Sequence, residues 1–396
     1  MKRSDFVRVN AATFYAGMKI EGEVYFQYDK NFILLCKDVT ITPALLTKFY
    51  QTEWGHRDLF VQKKHVDAIM ETSEQFKKLY DERGDEAPKI EHSEEEAKII
   101  AKTMADLAAK INLNNDYQVL RNKLNTVMDT VRKEKRVPFE ATEELQNDIS
   151  TKIEMTDPAL LIECINTLRP PDDYLSAHAA NVGTLNGMIG TWLKMPQNDI
   201  DALIKTGLLH DLGKLRVPIE ILDKPGKLTK EEFEEMKKHS VYSYEILKLS
   251  GETDEQVLEG VLSHHERLNG TGYPSGIQVS QISLYSRITA VSDVYDAMVA
   301  KRVYKDRHSP FAILSEFAFH KFSDLDIGIV NVFLDKMPSA LLGKNVLLSD
   351  GRTARIAYIN PLNFAYPIVE IDGELISTDS ELECIAMENY LAVVED

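Results

Sequence analysis

The feature that most constrains this chain is a set of histidine and aspartate residues distributed along one helical stretch. They recur at intervals of roughly 25 to 30 residues, about one helix plus a loop. The set is His178, His210, Asp211, His239, His264, His265 and Asp293. Helices packed side by side would aim these side chains at a common centre. Imidazole and carboxylate without thiolate suit Fe, Mn, Co or Zn used for hydrolysis, and the set is large enough for two ions.

The composition favours a cytoplasmic protein without membrane insertion. The chain has 396 residues, enough for two or three domains with proper cores, and it is 44% hydrophobic and 28% charged. No apolar run approaches the roughly 18 residues of a membrane span. Residues 1–5 lack the apolar core of a signal peptide. Cys36, Cys164 and Cys384 are scattered, which fits a reducing compartment.

The net charge restricts the binding partners. A formal charge of −17 argues against a nucleic-acid polymer or an anionic membrane as partner. The segment 264–308 is nevertheless locally basic. Its cations are Arg267, Arg287, Lys301, Arg302, Lys305 and Arg307, against Glu266, Asp293, Asp296 and Asp306. A small anionic substrate held by these cations or by metal ions therefore stays possible.

The first part of the chain reads as a small α/β module followed by helices. Residues 18–26 and 31–36 alternate as strands do, and residues 42–50 read as a short helix. Residues 58–137 read as helices. Within them, Ser93 and Glu96 form a predicted capping box that opens an amphipathic run. That run fits either a homodimer formed through the N-terminal helices or an ordinary packed helix.

The remaining two thirds change from helix to strand. Residues 139–342 are helical by pattern, except for loops such as 224–226 and 269–276. Residues 346–348, 354–359 and 368–371 then read as strands joined by hairpin turns, a small antiparallel sheet without chemistry of its own. The predicted domains are 1–145, a regulatory or dimerisation module, 146–342, the metal-binding helical domain, and 343–396, a β appendage.

Taken singly, most members of the set also have ordinary explanations. Asp211 follows His210 directly, and a carboxylate can bridge two cations while its neighbour binds one, but such pairs are common. His178 and His239 lie on apolar helix faces, where a histidine is usually a core residue bonded to the backbone.

The other members carry more information. His264 and His265 point about 100° apart if they lie on a helix, so they form either a surface pair or part of a wide concave site. Asp293 lies in an apolar stretch, and a buried aspartate needs a partner or a metal. Asp296, one turn later, caps or pairs instead. Together these signals predict one shared site.

A glycine-rich loop follows the histidine pair. It reads Asn269-Gly270-Thr271-Gly272-Tyr273-Pro274, where the glycines allow tight turns and Pro274 fixes the exit. Tyr273 would lie beside the metal centre, where its ring could pack on a base or its hydroxyl could donate a hydrogen bond. The alternative is a simple connection between helices.

These motifs identify a resemblance. Residues 150–340 closely resemble the HD-GYP family, a branch of the HD hydrolases that degrades the bacterial messenger cyclic di-GMP. His210-Asp211 with Gly213-Lys214 matches the HD signature, and Gly272-Tyr273-Pro274 matches the GYP signature. Further matches in family order are the segments 224–229, 293–298 and 302–305 and the helix of His239.

The resemblance implies a role for each site residue. One ion would be held by His178, His210, Asp211 and Asp293, and the second by His239, His264 and His265 with Asp211 bridging. Asp211 and Lys214 would be catalytic. The implied substrate contacts are Lys214, Gly272, Tyr273, Pro274, Arg302 and Lys305.

The implied fold is mainly α, a helical-bundle HD-type hydrolase domain with a small N-terminal α/β plus helical module and a short C-terminal β tail. The implied activity is hydrolysis of cyclic di-GMP to pGpG or GMP by a hydroxide bridging two divalent ions, Fe or Mn. Two alternatives are a cyclic dinucleotide receptor without turnover and a hydrolase of another cyclic nucleotide such as cyclic GMP-AMP.

Two positions depart from the family pattern. Some members carry a glutamate four residues before the first histidine, where it helps bind a third metal. Tyr174 stands there in this chain, which favours two ions. Asn269 replaces the usual aspartate of the loop, and we expect it to keep the turn.

Overall fold

The computed structural model describes most of the chain outside several loops and the termini. The described residues are 6–10, 13–14, 18–28, 31–37, 40–41, 58–83, 94–167, 174–303, 310–318, 324–361, 363–371, 373–379, 381–387 and 391–392. They form two compact units, one of residues 1–107 with 389–396 and one of residues 108–388.

The first unit contains an antiparallel sheet and a helix. Its strands are β1 (Phe6–Asn10), β2 (Glu23–Tyr28), β3 (Asn31–Lys37), β4 (Asp58–Gln62) and β10 (Leu391–Ala392), followed after β4 by helix α1 (Val66–Arg83). Within the described residues the strand order is β1-β4-β2-β3-β10. The strand predicted over 18–26 begins later, at Glu23, because Gly22 with a φ of 120° breaks the extended run. The helix predicted over 42–50 lies outside the described residues.

The second unit is built mainly from helices. They are α2 (Glu94–Glu134), which begins in the first unit, α3 (Phe139–Met155), α4 (Pro158–Thr167), α5 (Tyr174–Trp192), α6 (Gln197–Leu209), α7 (Ile219–Leu222), α8 (Lys230–Lys237), α9 (His239–Ser250), α10 (Glu255–Ser263), α11 (Leu284–Val303), α12 (Pro310–Ala318) and α13 (Ile327–Leu341). Polar caps start several of them: Asp254 accepts from the backbone of α10, and Thr229 with Glu232 forms a capping box on α8. The loops predicted at 224–226 and 269–276 are confirmed.

Helix α5 lies at the centre of the second unit. It packs against α3, α6, α11 and α13, and residues 176–190 are buried without interruption. Small residues such as Ala177, Ala179 and Ala180 allow the neighbouring helices to approach closely. A helix buried on all faces has no solvent side, so a polar residue on it must face a partner. His178 and Asn181 are such residues.

A second antiparallel sheet follows the helices. It contains β5 (Asn345–Leu348), β6 (Thr353–Asn360), β7 (Asn363–Ile371), β8 (Glu374–Ser377) and β9 (Cys384–Met387), in the order β8-β7-β6-β5-β9 among the described strands. Its buried face, which includes Val346, Ile356 and Val369, joins the helical core, and β7 packs on α12. The strands predicted in this region are confirmed.

The C-terminal segment differs in one respect from the predicted appendage 343–396. Its last strand, β10, pairs with β3 of the first unit instead of extending the second sheet. The physical reason is backbone pairing: β10 satisfies hydrogen-bonding groups along the open edge of β3, a long-range contact that no local pattern encodes. The division into functional domains at 145/146 and 342/343 does not coincide with the compact units and stays a prediction.

The mainly helical class, with small sheets near both ends, is confirmed. In the described part of the chain, no helix combines the length and apolarity needed to cross a membrane. The predicted helix after Ser93 is α2, although Ser93 itself lies outside the described residues.

Candidate metal centre

The seven residues predicted from spacing meet at one place. His178 lies on α5, Asp293 on α11, and the others at helix ends: His210 closes α6, His239 opens α9 and His264 closes α10. Asp211 and His265 follow in the turns. The histidine pair lies at the end of α10 and not within a helix, so the angle of about 100° expected for neighbouring helical residues does not apply. The centroids of the two rings are 4.1 Å apart.

A repeated backbone hydrogen bond orients three of the imidazoles. The Nδ1–H of His210, His239 and His264 donates to the carbonyl oxygen three residues earlier, each at 2.7 Å: Gly207, Met236 and Val261. Nδ1 then carries the proton, and Nε2 faces the centre with its lone pair. This is the tautomer in which a histidine binds a metal through Nε2.

His178 reaches the same tautomer by a different route. Its Nδ1–H donates to Asp296 Oδ2 on α11 at 2.7 Å. Its Nε2 lies 3.1 Å from Asp293 Oδ1 and 3.3 Å from Asp211 Oδ2. Asp296 thus pairs, one of the two roles left open for it, and supports a candidate ligand without facing the centre.

Asp211 lies between the two groups of ligands. Its Oδ2 is 3.3 Å from His210 Nε2 and from His178 Nε2, while its Oδ1 is 3.3 Å from His239 Nε2. The donor atoms form two sets, each within 4.8 Å: His178 with His210 and Asp211, and Asp211 with His239, His264 and His265. The shared carboxylate matches the bridging position that the resemblance implied.

The donor atoms fit a pair of cations. His178 Nε2 lies 3.3 Å from His210 Nε2, and His239 Nε2 lies 3.1 Å from His265 Nε2. Nitrogens that share an ion through bonds of about 2 Å are separated by roughly 3 Å, which is close to the spacing in both pairs. Asp211 Oδ1 is also buried without a hydrogen-bond donor among the described residues. A cation in each set would suit this nitrogen spacing and would give Asp211 Oδ1 a partner.

The electrostatics of the two sets differ. Burial, reinforced by neighbouring imidazoles, lowers the pKa of His264 and of His265 well below the usual histidine value, and burial also lowers the pKa of His239. These rings are therefore neutral and ready to bind metal at neutral pH.

Carboxylates dominate the other set. Burial alone would lower the pKa of His178, but hydrogen bonds to Asp211, Asp293 and Asp296 outweigh it and raise that pKa well above the usual value. Burial opposes ionisation of Asp211 and Asp293, yet cationic neighbours hold the pKa of both carboxyls well below the usual range. Two buried anions thus face the centre.

Lys214 places a cation beside the shared carboxylate. Its Nζ lies 2.5 Å from Asp211 Oδ2, and its side chain is 18% exposed. Burial would lower the pKa of Lys214, but attraction to Asp211 and Asp293 raises it, so the ammonium stays charged. A charged donor at the edge of the centre can contact an anion that arrives from solvent.

Gly213 allows the turn after Asp211 to pack tightly against α9. A Cβ at this position would meet the carbonyl oxygen of His239 at 1.9 Å. The Gly213 N–H donates to Ser243 Oγ at 2.7 Å, and that hydroxyl donates to the carbonyl oxygen of His210 at 2.8 Å. Ser243 therefore joins the two helix ends that carry His210 and His239.

Glu266 organises the loop predicted beside the centre. Its buried carboxylate accepts from the backbone N–H groups of Ser275, Gly276 and Ile277 at 2.7 to 3.2 Å. A Cβ on Gly272 would meet the Glu266 Cα at 2.4 Å, so this position requires glycine. Asn269 keeps the turn, as expected, because its Oδ1 accepts from Thr271 N at 3.0 Å.

Aromatic rings flank both sets. Tyr273 stacks on His265 with centroids 4.5 Å apart, and exposed Phe233 meets Tyr273 edge to face at 6.5 Å. Lys237 Nζ lies 5.9 Å above the Tyr273 ring. On the other side, Tyr174 stacks parallel to His178 with centroids 5.7 Å apart.

The predicted substrate contacts are only partly described. Lys214, Gly272, Tyr273 and Pro274 lie at or beside the centre. Arg302 lies in the last turn of α11, where only the backbone is described, and Lys305 lies outside the described residues.

Residue-by-residue reading missed several supporting residues. Ser243, Asn181 and Phe233 carry no motif of their own and act only through tertiary contacts. Glu266 directly follows the histidine pair, and this position was the sequence signal that could have identified it.

Comparisons with known proteins agree with this geometry. Residues 164–322 match the family described as HD domain. Cyclic di-GMP phosphodiesterase PA4108 of Pseudomonas aeruginosa is 38% identical over 162 residues, which cover 41% of this chain and 39% of that protein. The 3′3′-cGAMP-specific phosphodiesterase 2 of Vibrio cholerae is 33% identical over 181 residues, covering 46% and 35%.

The family match spans the segment that carries six of the matched motifs and all the candidate ligands. Residues 164–322 match an HD domain, and the curated relatives support its assignment to the HD-GYP family. The solved structure of Bd1817, an HDG"Y"P protein from Bdellovibrio bacteriovorus, is similar at 15% identity and a TM-score of 0.47, covering 84% of this chain and 99% of that one. The chain spans between a third and two fifths of the length of the curated relatives named above.

Proposed function

We propose that the HD-GYP domain is a metal-dependent phosphodiesterase that hydrolyses cyclic di-GMP to pGpG or GMP. The observation that carries the proposal is the pair of facing donor sets that share Asp211. The relative from Pseudomonas aeruginosa, named a cyclic di-GMP phosphodiesterase, supports the choice of substrate.

Two divalent ions, Fe or Mn, fit the donors. His178, His210, Asp211 and Asp293 would hold one, and His239, His264 and His265 would hold the other with Asp211 shared. Asp293 Oδ1 lies 3.1 Å from His178 Nε2, which supports its place in the first group. When bound, the ions would activate water and neutralise charge on the phosphate.

The residues around the ions would bind and orient the diester. Lys214 carries a permanent positive charge at the exposed edge and would stabilise the negative charge that grows on the phosphoryl oxygens. Hydrolysis joins a water oxygen to phosphorus and breaks the bond to the 3′ oxygen, which leaves with a proton.

The aromatic side of the centre would recognise the base. Phe233 is 48% exposed and lies edge to face with Tyr273, whose ring covers His265. A purine stacked against these rings would bring its phosphate next to the second set of ligands. Arg302 and Lys305 are proposed to contact the phosphates, as the resemblance implies.

A turnover assay tests the function directly. Protein loaded with Mn²⁺ or Fe²⁺ is incubated with cyclic di-GMP and, separately, with 3′3′-cyclic GMP-AMP, and the products are separated by chromatography. We expect hydrolysis of cyclic di-GMP with the larger kcat/KM. Tight binding of cyclic di-GMP without product would favour a receptor, and preference for cyclic GMP-AMP would favour the specificity named for the Vibrio relative.

Elemental analysis tests the number of ions. We expect two per chain, because Tyr174 offers a phenol ring stacked on His178 where a third ion would need a carboxylate. Three tightly held ions would contradict this inference.

A cytoplasmic location and a homodimer formed through the N-terminal helices remain part of the proposal, and sedimentation of the full chain tests the dimer.

A further inference from the structure

A buried chain of hydrogen bonds leads away from His178. Its Nδ1–H donates to Asp296 Oδ2 at 2.7 Å, Asn181 Nδ2 donates to Asp296 Oδ1 at 2.8 Å, and the Tyr117 hydroxyl donates to Asn181 Oδ1 at 2.6 Å. Asn181 and Asp296 are 0% exposed, His178 is 1% exposed and Tyr117 is 5% exposed. These groups are therefore shielded from competing water.

The chemistry of the chain fixes the direction of each bond. A carboxylate oxygen accepts from N–H groups, and Asp296 receives one such donor at each of its oxygens. Donation from its Nδ2 turns the Asn181 amide so that Oδ1 points to Tyr117, whose hydroxyl must then donate. Each bond thus has one direction, and the last consequence is that His178 Nδ1 carries a proton shared with Asp296 while Nε2 is directed toward the centre.

Helix α2 holds α5 at a second point. The Ser176 hydroxyl donates to Asn125 Oδ1, and Asn125 follows Tyr117 by eight residues, about two helical turns, on the same side of α2. On α5, Ser176 and Asn181 lie on either side of His178 in sequence. The two contacts restrain both the rotation and the position of the helix that carries this ligand.

We propose that Tyr117 and Asn181 are positioning residues of the metal centre, acting through Asp296 to fix the ring and tautomer of His178. The inference rests on the proposed metal centre. Tyr117 precedes the segment 164–322 that matches the HD family, so a helix outside that segment completes the support of a ligand inside it.

Tyr117→Phe tests the proposal with the loss of one oxygen atom. Tyr285→Phe is the matched control, because Tyr285 is 4% exposed and, among the described residues, its hydroxyl donates to Asp199 Oδ1 at 3.1 Å and to none of the candidate ligands. Full-length variants loaded with Mn²⁺ are dialysed against rising concentrations of chelator, and the metal retained per chain is measured. The absorption spectrum of the Co²⁺-loaded proteins is recorded in parallel.

We expect Tyr117→Phe to lose one of the two ions at about tenfold lower chelator concentration, the lower end for residues that orient a metal-binding histidine. It should be the ion that His178→Ala releases, and the Co²⁺ spectrum should change. Tyr285→Phe should match the wild type in both measurements. Equal weakening in the two variants would show a general loss of stability and overturn the proposal.

A second pair of variants keeps the test decisive. Asn181→Ala should weaken the same ion at least as much as Tyr117→Phe, whereas Asn186→Ala removes an equally buried amide of α5 that donates to Leu203 and Thr289 and should leave that ion in place. If wild-type protein binds two ions and both Tyr117→Phe and Asn181→Ala retain them unchanged, the positioning role is refuted. If wild-type protein binds no metal, the proposed metal centre is refuted, and the positioning role that rests on it is refuted as well.

Discussion

The two sets of ligands face each other across Asp211, yet the protein holds them by different means. His210, His239 and His264 donate to backbone carbonyls three residues earlier, so each ring is oriented by the helical turn that precedes it. His178 donates to Asp296 on another helix. The first means is local and needs only a helix terminus, whereas the second depends on three helices keeping their places.

The two sets should differ in how strongly helix packing elsewhere in the protein affects the orientation of their histidines. A locally oriented histidine keeps its tautomer as long as its helix exists. His178 keeps its tautomer only while α5, α11 and α2 stay packed together. Changes in packing should therefore affect the His178 set of the candidate metal centre before they affect the other set.

The largest expected effect comes from Asp211→Ala, which removes the one carboxylate that both sets share. We expect both ions to be lost from purified protein and hydrolysis to fall on the order of a thousandfold or more, since several kcal/mol of stabilisation disappear. Elemental analysis and the turnover assay measure this, with circular dichroism as the check of the fold. Asp335→Ala, an exposed aspartate of α13, is the control. Loss of only one ion would show that the sets are independent.

Acidification should separate the two sets. The pKa of His178 is raised, so a proton competes with metal at this ring above the usual histidine pKa, whereas the lowered pKa values of His264 and His265 keep them neutral to lower pH. As the pH falls from about 8 to about 5, the ion in the His178 set should therefore leave first. Metal content after dialysis at stepped pH measures the order. Simultaneous release would contradict the difference between the sets.

A smaller effect is expected from Glu266→Ala, which disturbs only the loop beside the His265 set. Three backbone N–H groups would lose a buried charged acceptor, which costs about 2 to 3 kcal/mol of stability. We expect the KM for cyclic di-GMP to rise by about tenfold while both ions are retained. Thermal unfolding and steady-state kinetics test this, and Glu266→Gln, which keeps an acceptor, should lie between the two proteins. An unchanged KM would show that the loop does not contribute to substrate binding.

The smallest effect is expected from Phe233→Ala. Loss of one exposed aromatic contact with a base is worth about 1 kcal/mol, so KM should rise roughly fivefold with kcat nearly unchanged. Leu249→Ala, which truncates an exposed side chain elsewhere on the surface, should leave KM unaltered. If kcat falls instead of KM rising, Phe233 acts on the centre and not on the substrate.

The proximity of the candidate ligands could be predicted from the sequence because histidine and aspartate are rare in apolar helices and are costly to bury without a partner. All the candidate ligands meet in the structure, and the loop of Tyr273 lies beside them as predicted. It predicted the helices and the second sheet for a similar reason, since hydrophobic periodicity is a local signal.

The supporting residues could not be predicted in this way. Tyr117, Asn181 and Ser243 are ordinary polar residues of helices, and their roles depend on partners between 30 and 115 positions away. The pairing of β10 with β3 is also invisible locally, because strand pairing joins residues far apart in sequence.

The sequence by itself therefore determined which side chains could bind metal, in what order they occur, and that helices would carry them. Only the tertiary structure decided which nitrogen of each imidazole faces the centre, because the hydrogen bond made by one nitrogen sets the orientation of the other. For three histidines the acceptor lies one helical turn away, and for His178 it lies on another helix. A tautomer fixed by a distant partner is a property of the folded protein.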